Sequence, residues 1–240
     1  MTPDERIPVA GPWVTDLEVR YVAEAAANDW YANAGQSVGM FEREFAAELA
    51  DETFCPTYLR NATAYGVSRR LRADIVVNNL VGHAVTTGKV LLQSDGSPWR
   101  PLVHIADISH AFECVLAAPR EVVHNQAFNV GRSGENYRIR DVANMVAEVV
   151  PDCTVTMASG ASPDSRDYRV DFTRIESTLP GYAPQWTLRA GIEELYAAYR
   201  DGVMTVQSFT GPDYFRLRTI QARMDREELD GELRWTAVAE

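Results

Sequence analysis

The spacing of apolar residues at the start of the chain predicts two helices. Residues 15–25 carry an apolar stripe at helical spacing, and Thr15 with Glu18 three residues later forms a capping box where it begins. A second amphipathic helix is predicted over residues 37–50. The polar and aromatic segment NDWYANAGQ between them is interpreted as a linker. Since no strand pattern precedes about residue 56, this first segment is expected to be helical.

After Asp51 the pattern changes to alternating strands and helices. The predicted strands are TYLRNA, KVLLQS, PLVHI, AFNVG and CTVTMA. The predicted helices are ISHAFECVLAA with Asp107 as its N-cap, RIRDVANMVAEVV, and two segments near 171–179 and 188–200. The charged remainder of the chain is expected to be helical in part. This alternation predicts an α/β fold.

Length, charge and cysteine usage narrow the classes of function. The chain has 240 residues and a net charge of -11, which argues against general binding of nucleic acid. It has no apolar run long enough to span a membrane, and MTPDERIPVAGP has no signal-peptide pattern, so we expect a cytoplasmic protein without a membrane partner. Cys55, Cys114 and Cys153 are odd in number and far apart. They are therefore expected to be reduced thiols, with Cys114 on the buried face of its helix.

The basic residues are almost all arginine, because Lys89 is the single lysine among 23 basic side chains. Genome composition explains such a bias, and planar recognition of phosphate by arginine is the functional alternative. The lysine count has a firmer consequence. Any chemistry that requires a catalytic lysine must use Lys89 or be absent.

Two short motifs do not have the required pattern. The segment GHAVTTGKV resembles a phosphate-binding loop, but its glycines are one residue too far apart and Val90 stands where a hydroxyl is required. Gly88 is better interpreted as a helix C-cap. His104, Asp107 and His110 suggest a metal triad, but a strand-to-helix break separates them, so we expect no metal site.

Residues 53–205 resemble the C-terminal half of the extended short-chain dehydrogenases, the NAD-dependent nucleotide-sugar epimerases and dehydratases. The matching segments, in the order expected for that family, are LRNATAYG, IVVNNLV, KVLLQSDGSPWRPLVHIADISHAF, AFNVG and DYRVDFTRI. The resemblance implies a partial extended short-chain dehydrogenase fold that keeps the substrate-binding half and lacks the Rossmann cofactor half. It also implies a nucleotide sugar as the binding partner.

The resemblance and the chemistry of the side chains together indicate a nucleotide-sugar pocket. Asn78 and Asn79 are expected to open a helix, where amides and free backbone N–H groups receive a diphosphate. The expected substrate-binding residues are Asn78, Asn79, Leu80, Arg100, Asp164, Arg166, Tyr168 and Arg169. Their structural alternatives are a surface ion pair at Arg100, plain helix caps at the two asparagines, and an ordinary solvated loop over 164–169. Thr63 replaces the asparagine usual in the family.

The cofactor chemistry of that family has no counterpart in the sequence. No glycines have the spacing of a dinucleotide-binding turn, and Val85 stands four residues before Lys89, where the tyrosine of a Tyr-x-x-x-Lys pair is needed. Tyr65 and Arg69 have the right spacing, but Tyr65 belongs to the AYG turn, which in the family comes after the catalytic residues along the chain. We therefore expect no catalytic residue and no cofactor of the chain's own, although the family uses NAD.

Residues 1–52 resemble the opening of the PLP-dependent sugar aminotransferases of the DegT/DnrJ/EryC1/StrS group; two generic amphipathic helices are the alternative. The sequence thus predicts segments at 1–52, 53–205 and 206–240. The leading hypothesis is a nucleotide-sugar-binding fragment or pseudoenzyme. The alternatives are a non-catalytic partner subunit or homo-oligomer, an active epimerase or dehydratase that uses Tyr65, and no selected function.

Overall fold

The structure is a computed structural model that describes residues 30–51, 53–69, 71–162 and 167–236. The predicted helix over residues 15–25 lies outside the described residues. The chain divides into two compact units, Met1–Phe54 and Cys55–Glu240.

In the first unit, helix α1 spans Trp30–Leu49. The second predicted helix is therefore confirmed, but its predicted beginning is wrong, because the segment interpreted as a linker is part of the helix. That segment contains alanines and no proline after Trp30, so nothing in it interrupts the helical hydrogen bonds. Near the end of α1, the rings of Phe41 and Phe45 lie 5.6 Å apart, and Phe45 also contacts Phe54 at 6.2 Å.

The second unit alternates strands with helices, as the sequence pattern predicts. The described strands are β1 Thr57–Asn61, β2 Thr63–Tyr65, β3 Lys89–Ser94, β4 Trp99–His104, β5 Gln126–Val130, β6 Asn136–Arg138 and β7 Thr154–Ser162. The described helices are α2 Val76–Thr87, α3 Ile105–Ala117, α4 Arg120–Val123, α5 Ile139–Val149, α6 Thr173–Thr178, α7 Leu188–Asp201, α8 Val206–Phe209 and α9 Arg216–Asp225. All five predicted strands are present, whereas β2 and β6 have no counterpart in the prediction.

The described strands pair in three small sheets. β1 pairs with β5, and β3 pairs with β7, both in parallel. The third sheet has the order β2-β4-β6, with β4 parallel to β2 and antiparallel to β6. Gly88 joins α2 to β3 with a φ of 68°, a left-handed conformation that glycine adopts without strain, and this confirms the predicted C-cap.

Two hydrophobic clusters hold the second unit together. The first is built mainly from α2, α5 and α7 on strands β3 and β4, and includes Val77, Val81, Leu102, Val146 and Leu195. The second is built from α3, α6 and β5, and includes Ile108, Phe128 and Ile175, together with the predicted buried thiol of Cys114. Each such side chain contributes roughly 1.5–3 kcal/mol by leaving water. Strand β4 takes part in both clusters, with Leu102 in the first and Val103 in the second.

The beginnings of two helices differ from the prediction. Helix α3 begins at Ile105, three residues before the expected Ile108, and its N-cap is His104, whose Nδ1 accepts from the backbone N–H of Ala106 at 3.2 Å. Asp107 lies inside the helix instead, where its carboxylate accepts from the backbone N–H groups of Gln185 and Trp186 at 2.9 and 3.1 Å. The prediction failed because Asp107 satisfies orphan donors of a distant loop rather than those of its own helix.

Candidate functional site

Two arginines lie against the ring of Trp99, at the antiparallel pairing of β4 with β6. The register places Trp99 opposite Arg138, and the Arg138 guanidinium carbon lies 5.2 Å from the centroid of the indole. The Arg169 guanidinium lies 4.7 Å from the same ring. Both distances are within the range of attraction between a cation and an aromatic face.

Arg100 follows Trp99 and is nearly buried, with 8% of its surface exposed. Its Nη1 donates to the carbonyl oxygen of Trp99 at 2.8 Å, and its guanidinium lies 5.5 Å from the ring of Tyr168, which is 49% exposed. The carboxylate of Asp167 accepts from the backbone N–H of Trp99 at 2.8 Å. These contacts fix the planar cation beside an accessible aromatic face.

The loop that carries Tyr168 and Arg169 is tied to β6. The side chain of Asn136 donates to the carbonyl oxygen of Val170 at 3.1 Å and accepts from its N–H at 2.9 Å. Arg169, Asn136 and Asp171 line a cavity of about 380 Å³ at this point. A cavity of this size lies at the lower end of the range for small-molecule sites.

We call Trp99, Arg100, Arg138, Tyr168 and Arg169 the arginine–aromatic cluster. Three guanidinium groups present planar sets of donors that match the oxygens of phosphate or carboxylate, and the two rings offer faces for stacking. Arg100 on Tyr168, and Arg138 and Arg169 on Trp99, are thus two pairings of cation with ring, each of which can meet an anion that carries a flat ring. Of the cluster's members, Arg100, Tyr168 and Arg169 are expected from the sequence. Trp99 and Arg138 are not among the predicted site residues, since Arg138 enters only through the short strand β6.

Asn78 and Asn79 have different environments from those expected. Helix α2 begins at Val76, so they lie inside the first turn instead of opening it, and the backbone N–H of Asn79 already donates to Ile75 at 2.8 Å. Asn78 is 1% exposed and accepts from the N–H of Gly66 at 3.0 Å. It also donates to the carbonyl oxygens of Gly66 and Arg72, at 3.3 and 3.0 Å.

The side chain of Asn79 is half-buried and donates to the carbonyl oxygen of Ala73 at 2.9 Å. That bond uses its amide nitrogen and leaves its carbonyl oxygen to other partners. Leu80 is 5% exposed and packs in the first hydrophobic cluster. Asp164 and Arg166, the two remaining predicted site residues, lie outside the described residues.

A second polar centre surrounds His104, which is 2% exposed. Because its Nδ1 accepts from the N–H of Ala106, its Nε2 carries the proton and donates to the carboxylate of Glu194 at 2.9 Å. The imidazole stacks on Trp186 with ring centroids 3.7 Å apart, and the edge of Tyr65 packs against it at 5.3 Å. Both ring nitrogens are used, so this centre joins β4 to α7. Among the described residues no cluster of His, Cys, Asp and Glu has the geometry of a metal site.

Tyr65 is 2% exposed, and its burial raises the pKa of its hydroxyl, with added effects from the carboxylates of Glu135 and Asp107. A tyrosine that relays protons during hydride transfer needs the opposite shift, towards an ionised hydroxyl. Lys89 is exposed at the first residue of β3, and four residues before it lies Val85. The described residues therefore do not fit a catalytic tyrosine and lysine beside a dinucleotide.

The pH dependence of stability should report on Glu135, which is 7% exposed and accepts from the N–H of Leu188 at 2.8 Å. Burial raises its pKa above the ordinary 4.5, so the unfolded chain ionises more easily than the folded one. Stability contributed by this group is present below pH 4.5 and is lost as pH rises through the raised folded pKa. We expect Glu135→Gln, which keeps the acceptor oxygen, to remove that loss.

The measurement is the urea midpoint of both proteins from pH 4 to pH 8. The midpoint difference between Glu135→Gln and the natural chain should grow in favour of the variant as pH rises, because other ionisable groups contribute equally to both. Parallel curves over the whole range would contradict the raised pKa.

Comparison with known proteins finds one family model that matches part of the chain. Residues 35–131 match the model of the NAD dependent epimerase/dehydratase family. This range contains β1 to β5 and the end of the predicted N-terminal segment. The resemblance of residues 1–52 to sugar aminotransferases has no counterpart in this match.

Several solved structures have a similar fold. UDP-glucose 4-epimerase from Thermotoga maritima, with UDP-glucose, is 23% identical with a TM-score of 0.58, and the match covers 72% of this chain and 54% of that one. UDP-glucuronic acid 4-epimerase from Bacillus cereus, in complex with UDP-glucuronic acid and NAD, is 18% identical with a TM-score of 0.56, over 68% and 50% of the two chains. The dTDP-glucose 4,6-dehydratase DesIV from Streptomyces venezuelae is 20% identical with a TM-score of 0.55, over 68% and 48%.

The match thus spans about half the length of each of these enzymes. No helix in the described part of the chain is both long enough and apolar enough to cross a membrane. The chain is accordingly a mixed α/β protein whose described fold resembles about half of a nucleotide-sugar epimerase or dehydratase, and whose residues 35–131 match the NAD dependent epimerase/dehydratase family.

Proposed function

We propose that the chain binds a nucleotide sugar at the arginine–aromatic cluster and does not itself turn over NAD. The observation that carries this proposal is the position of Arg100, a nearly buried cation held between the carbonyl oxygen of Trp99 and the face of Tyr168. A buried guanidinium next to an exposed ring suits a ligand that joins a diphosphate to a base. The epimerases of similar fold have UDP-glucose or UDP-glucuronic acid bound.

The proposed contacts divide between charge and stacking. Arg100 and Arg169 donate to the diphosphate, and Tyr168 supplies a face for the base. Asn79 directs its remaining carbonyl oxygen to the ligand, since its amide nitrogen is held by Ala73. Asn78 and Leu80 contribute by fixing α2, through buried hydrogen bonds and core packing respectively. Asp164 and Arg166 remain proposed members of the outer wall.

Calorimetric titration with UDP-glucose, dTDP-glucose and GDP-mannose tests the proposal directly. Binding of at least one, with a weaker response to free glucose, is the expected result. Failure of all three nucleotide sugars to bind the folded chain would remove the proposed function.

The absence of turnover rests on this chain's own residues. Its sequence has no glycine-rich dinucleotide turn, and Val85, not a tyrosine, lies four residues before Lys89. In the described structure Tyr65 is buried against His104. We therefore derive no hydride-transfer step for the chain alone, and NAD is proposed only as the cofactor of the enzymes it resembles.

Substitution of Tyr65 separates this proposal from an active epimerase or dehydratase. With UDP-glucose and added NAD, we expect chromatography of the nucleotide sugar to show no new product for either the natural chain or Tyr65→Phe. The phenylalanine keeps the ring that packs on His104, so both proteins should bind the nucleotide sugar equally. Turnover by the natural chain that disappears in Tyr65→Phe would contradict the proposal and assign the hydroxyl a catalytic role.

A second candidate function is that of a non-catalytic partner or a homo-oligomer. Strand β1 pairs with β5, and no other described strand pairs with it. Such an edge is able to accept a further strand from another chain. On helix α3, Leu116 and Phe112 are 86% and 51% exposed, which adds apolar surface. Light scattering should then show a dimer or larger species; a monomer that binds no apolar dye would contradict this function.

The proposed organisation of the chain keeps the three segments predicted from the sequence. Residues 53–205 form the nucleotide-sugar-binding region, residues 206–240 a charged tail, and residues 1–52 a segment related to the start of the sugar aminotransferases. Limited proteolysis tests the first boundary, which should be cut near residue 52 while the nucleotide-sugar-binding region stays intact.

A further inference from the structure

A second cavity lies on the second unit, between the loop that follows β2 and the segment beyond α7. Its volume is about 1220 Å³, above the range usual for small-molecule sites. None of the five residues of the arginine–aromatic cluster lines it. We call it the C-terminal cavity and define it by six residues of its lining: Arg69, Arg72, Tyr199, Arg216, Arg223 and Trp235.

Hydrogen bonds fix the loop side of the C-terminal cavity. The side chain of Asn78 donates to the carbonyl oxygen of Arg72 at 3.0 Å, and the hydroxyl of Tyr199 donates to the carbonyl oxygen of Asn78 at 3.4 Å. The backbone N–H of Ala73 donates to the carbonyl oxygen of Tyr214 at 3.0 Å and so ties the loop to the C-terminal segment. Hydrogen bonds therefore connect this loop, directly or through Asn78, with α2, α7 and the C-terminal segment.

The remaining side of the cavity is held by packing and by a stacked cation. Phe209 is fully buried, and its ring approaches so close to Gly82 that a methyl group there would lie 2.1 Å from it. This contact docks α8 on α2. Further along, the Arg223 guanidinium lies 4.7 Å from the ring centroid of Trp235, which places an aromatic face and a cation together at the cavity.

The charge of the lining favours an anion. Among the described residues, four arginines and Asp213 are the ionised side chains that line the cavity. Arg72 is paired with Asp74, its Nε and Nη2 donating to the two carboxylate oxygens at 2.8 and 2.7 Å. A surplus of positive charge remains on the lining, although the whole chain has a net charge of -11. Local recognition of a negative group explains such a concentration of guanidinium groups.

The rest of the lining is apolar or aromatic. Leu71, Met204, Ile220, Leu229 and Leu233 lie on different walls, and Tyr199 forms part of the floor. Free phosphate would leave this apolar surface in contact with water. An apolar body would displace that water, with a gain in binding free energy of roughly 25 cal/mol per Å² of apolar surface buried. The lining therefore combines donors for an anionic head with a surface for an apolar body.

We propose that the C-terminal cavity is a second binding site, for an amphiphilic anion in which a flat aromatic body carries a phosphate or carboxylate. Arg69 and Arg216 bind the anionic head from opposite sides. The body lies between Trp235 and the apolar lining. The site is independent of nucleotide-sugar binding at the arginine–aromatic cluster, so either can fail without the other.

Fluorescence titration of the full chain with simple probes tests this site. 1-Naphthyl phosphate and 1-naphthoate carry the two head groups on the same body, and comparison between them identifies the preferred head. Inorganic phosphate, measured by competition, and 1-naphthol each keep one half of the proposed ligand. At least one naphthyl anion should bind about tenfold more tightly than either half, since head and body contribute separately.

The double variant Arg69→Gln/Arg216→Gln should bind the preferred naphthyl anion at least about tenfold more weakly, because two charged donors are lost. Both side chains are exposed, so the thermal midpoint should remain that of the natural chain. Arg226→Gln is the matched control, because Arg226 follows α9 but pairs with Glu228 and does not line the cavity. Equal weakening by the control, unchanged binding in the double variant, or no binding of either naphthyl anion would overturn the proposal.

Discussion

Replacing Arg100 with lysine is expected to weaken nucleotide-sugar binding by about 10- to 100-fold, while the chain remains folded. A hydrogen bond to a charged group contributes roughly 1.5–3 kcal/mol, and lysine loses the paired donors with which a guanidinium holds two phosphate oxygens. It also loses the planar contact with Tyr168, whose ring centroid lies 5.5 Å from the guanidinium. The measurement is calorimetric titration with whichever nucleotide sugar binds the natural chain most tightly.

Arg189→Lys is the matched control for this effect. Arg189 forms an exposed ion pair with Glu148, far in sequence from β4, and its replacement by lysine keeps the charge there. The same change of guanidinium to ammonium at that position should leave binding within about twofold, because exposed pairs contribute little. If both variants bind like the natural chain, Arg100 does not hold the diphosphate.

The elements that could be predicted are those whose cause is local. The strands KVLLQS and AFNVG, and the helix RIRDVANMVAEVV, have a periodicity that is visible within the segment itself, and each is present in the structure. Gly88 was predictable for the same reason, since a glycine between a helix and a strand indicates a left-handed C-cap. Local pattern therefore accounts for the α/β class and for most of its elements.

The elements that could not be predicted depend on residues distant in sequence. β6 is three residues long and exists because it pairs with the start of β4, where Trp99 lies 39 positions before its partner Arg138. Asp107 has the right residue type for a helix cap, but its partners are the backbone N–H groups of Gln185 and Trp186. No single-segment pattern contains such partners, which is why the N-cap was assigned to the wrong residue.

The candidate site shows both situations. Arg100, Tyr168 and Arg169 were found through a resemblance that places them in one pocket, and the structure brings them to the same edge of β4. Arg138 joins them only through the pairing of β6. Asn78 illustrates the opposite difficulty, because the sequence does not distinguish an asparagine that contacts the nucleotide sugar from one that holds the backbone near a helix start. Only its three hydrogen bonds, two of them buried, show that this side chain holds the loop against α2.

Packing of α7 on the three-stranded sheet gives the largest expected effect on stability. A methyl group on Gly191 would lie 2.3 Å from Cε2 of Tyr65, a side chain that is 2% exposed. Tyr65 cannot turn away, because the edge of its ring packs on His104, which is itself stacked on Trp186. Helix α7 must therefore move outwards in Gly191→Ala, and this movement stretches the 2.9 Å hydrogen bond between His104 and Glu194.

Gly191→Ala should consequently lower the free energy of unfolding by about 2 kcal/mol, since overpacking typically costs 1–3 kcal/mol and a buried hydrogen bond weakens with it. The sign is informative, because helix propensity alone predicts the opposite, a gain of about 1 kcal/mol when alanine replaces glycine within a helix. Urea denaturation of the natural chain and the variant measures the difference. Gly134→Ala is the control, because a methyl group there would meet nothing within 4 Å and should change stability little. A stabilised Gly191→Ala would mean that α7 does not pack on Tyr65, and the buried joint between β4 and α7 at His104 would then have no support.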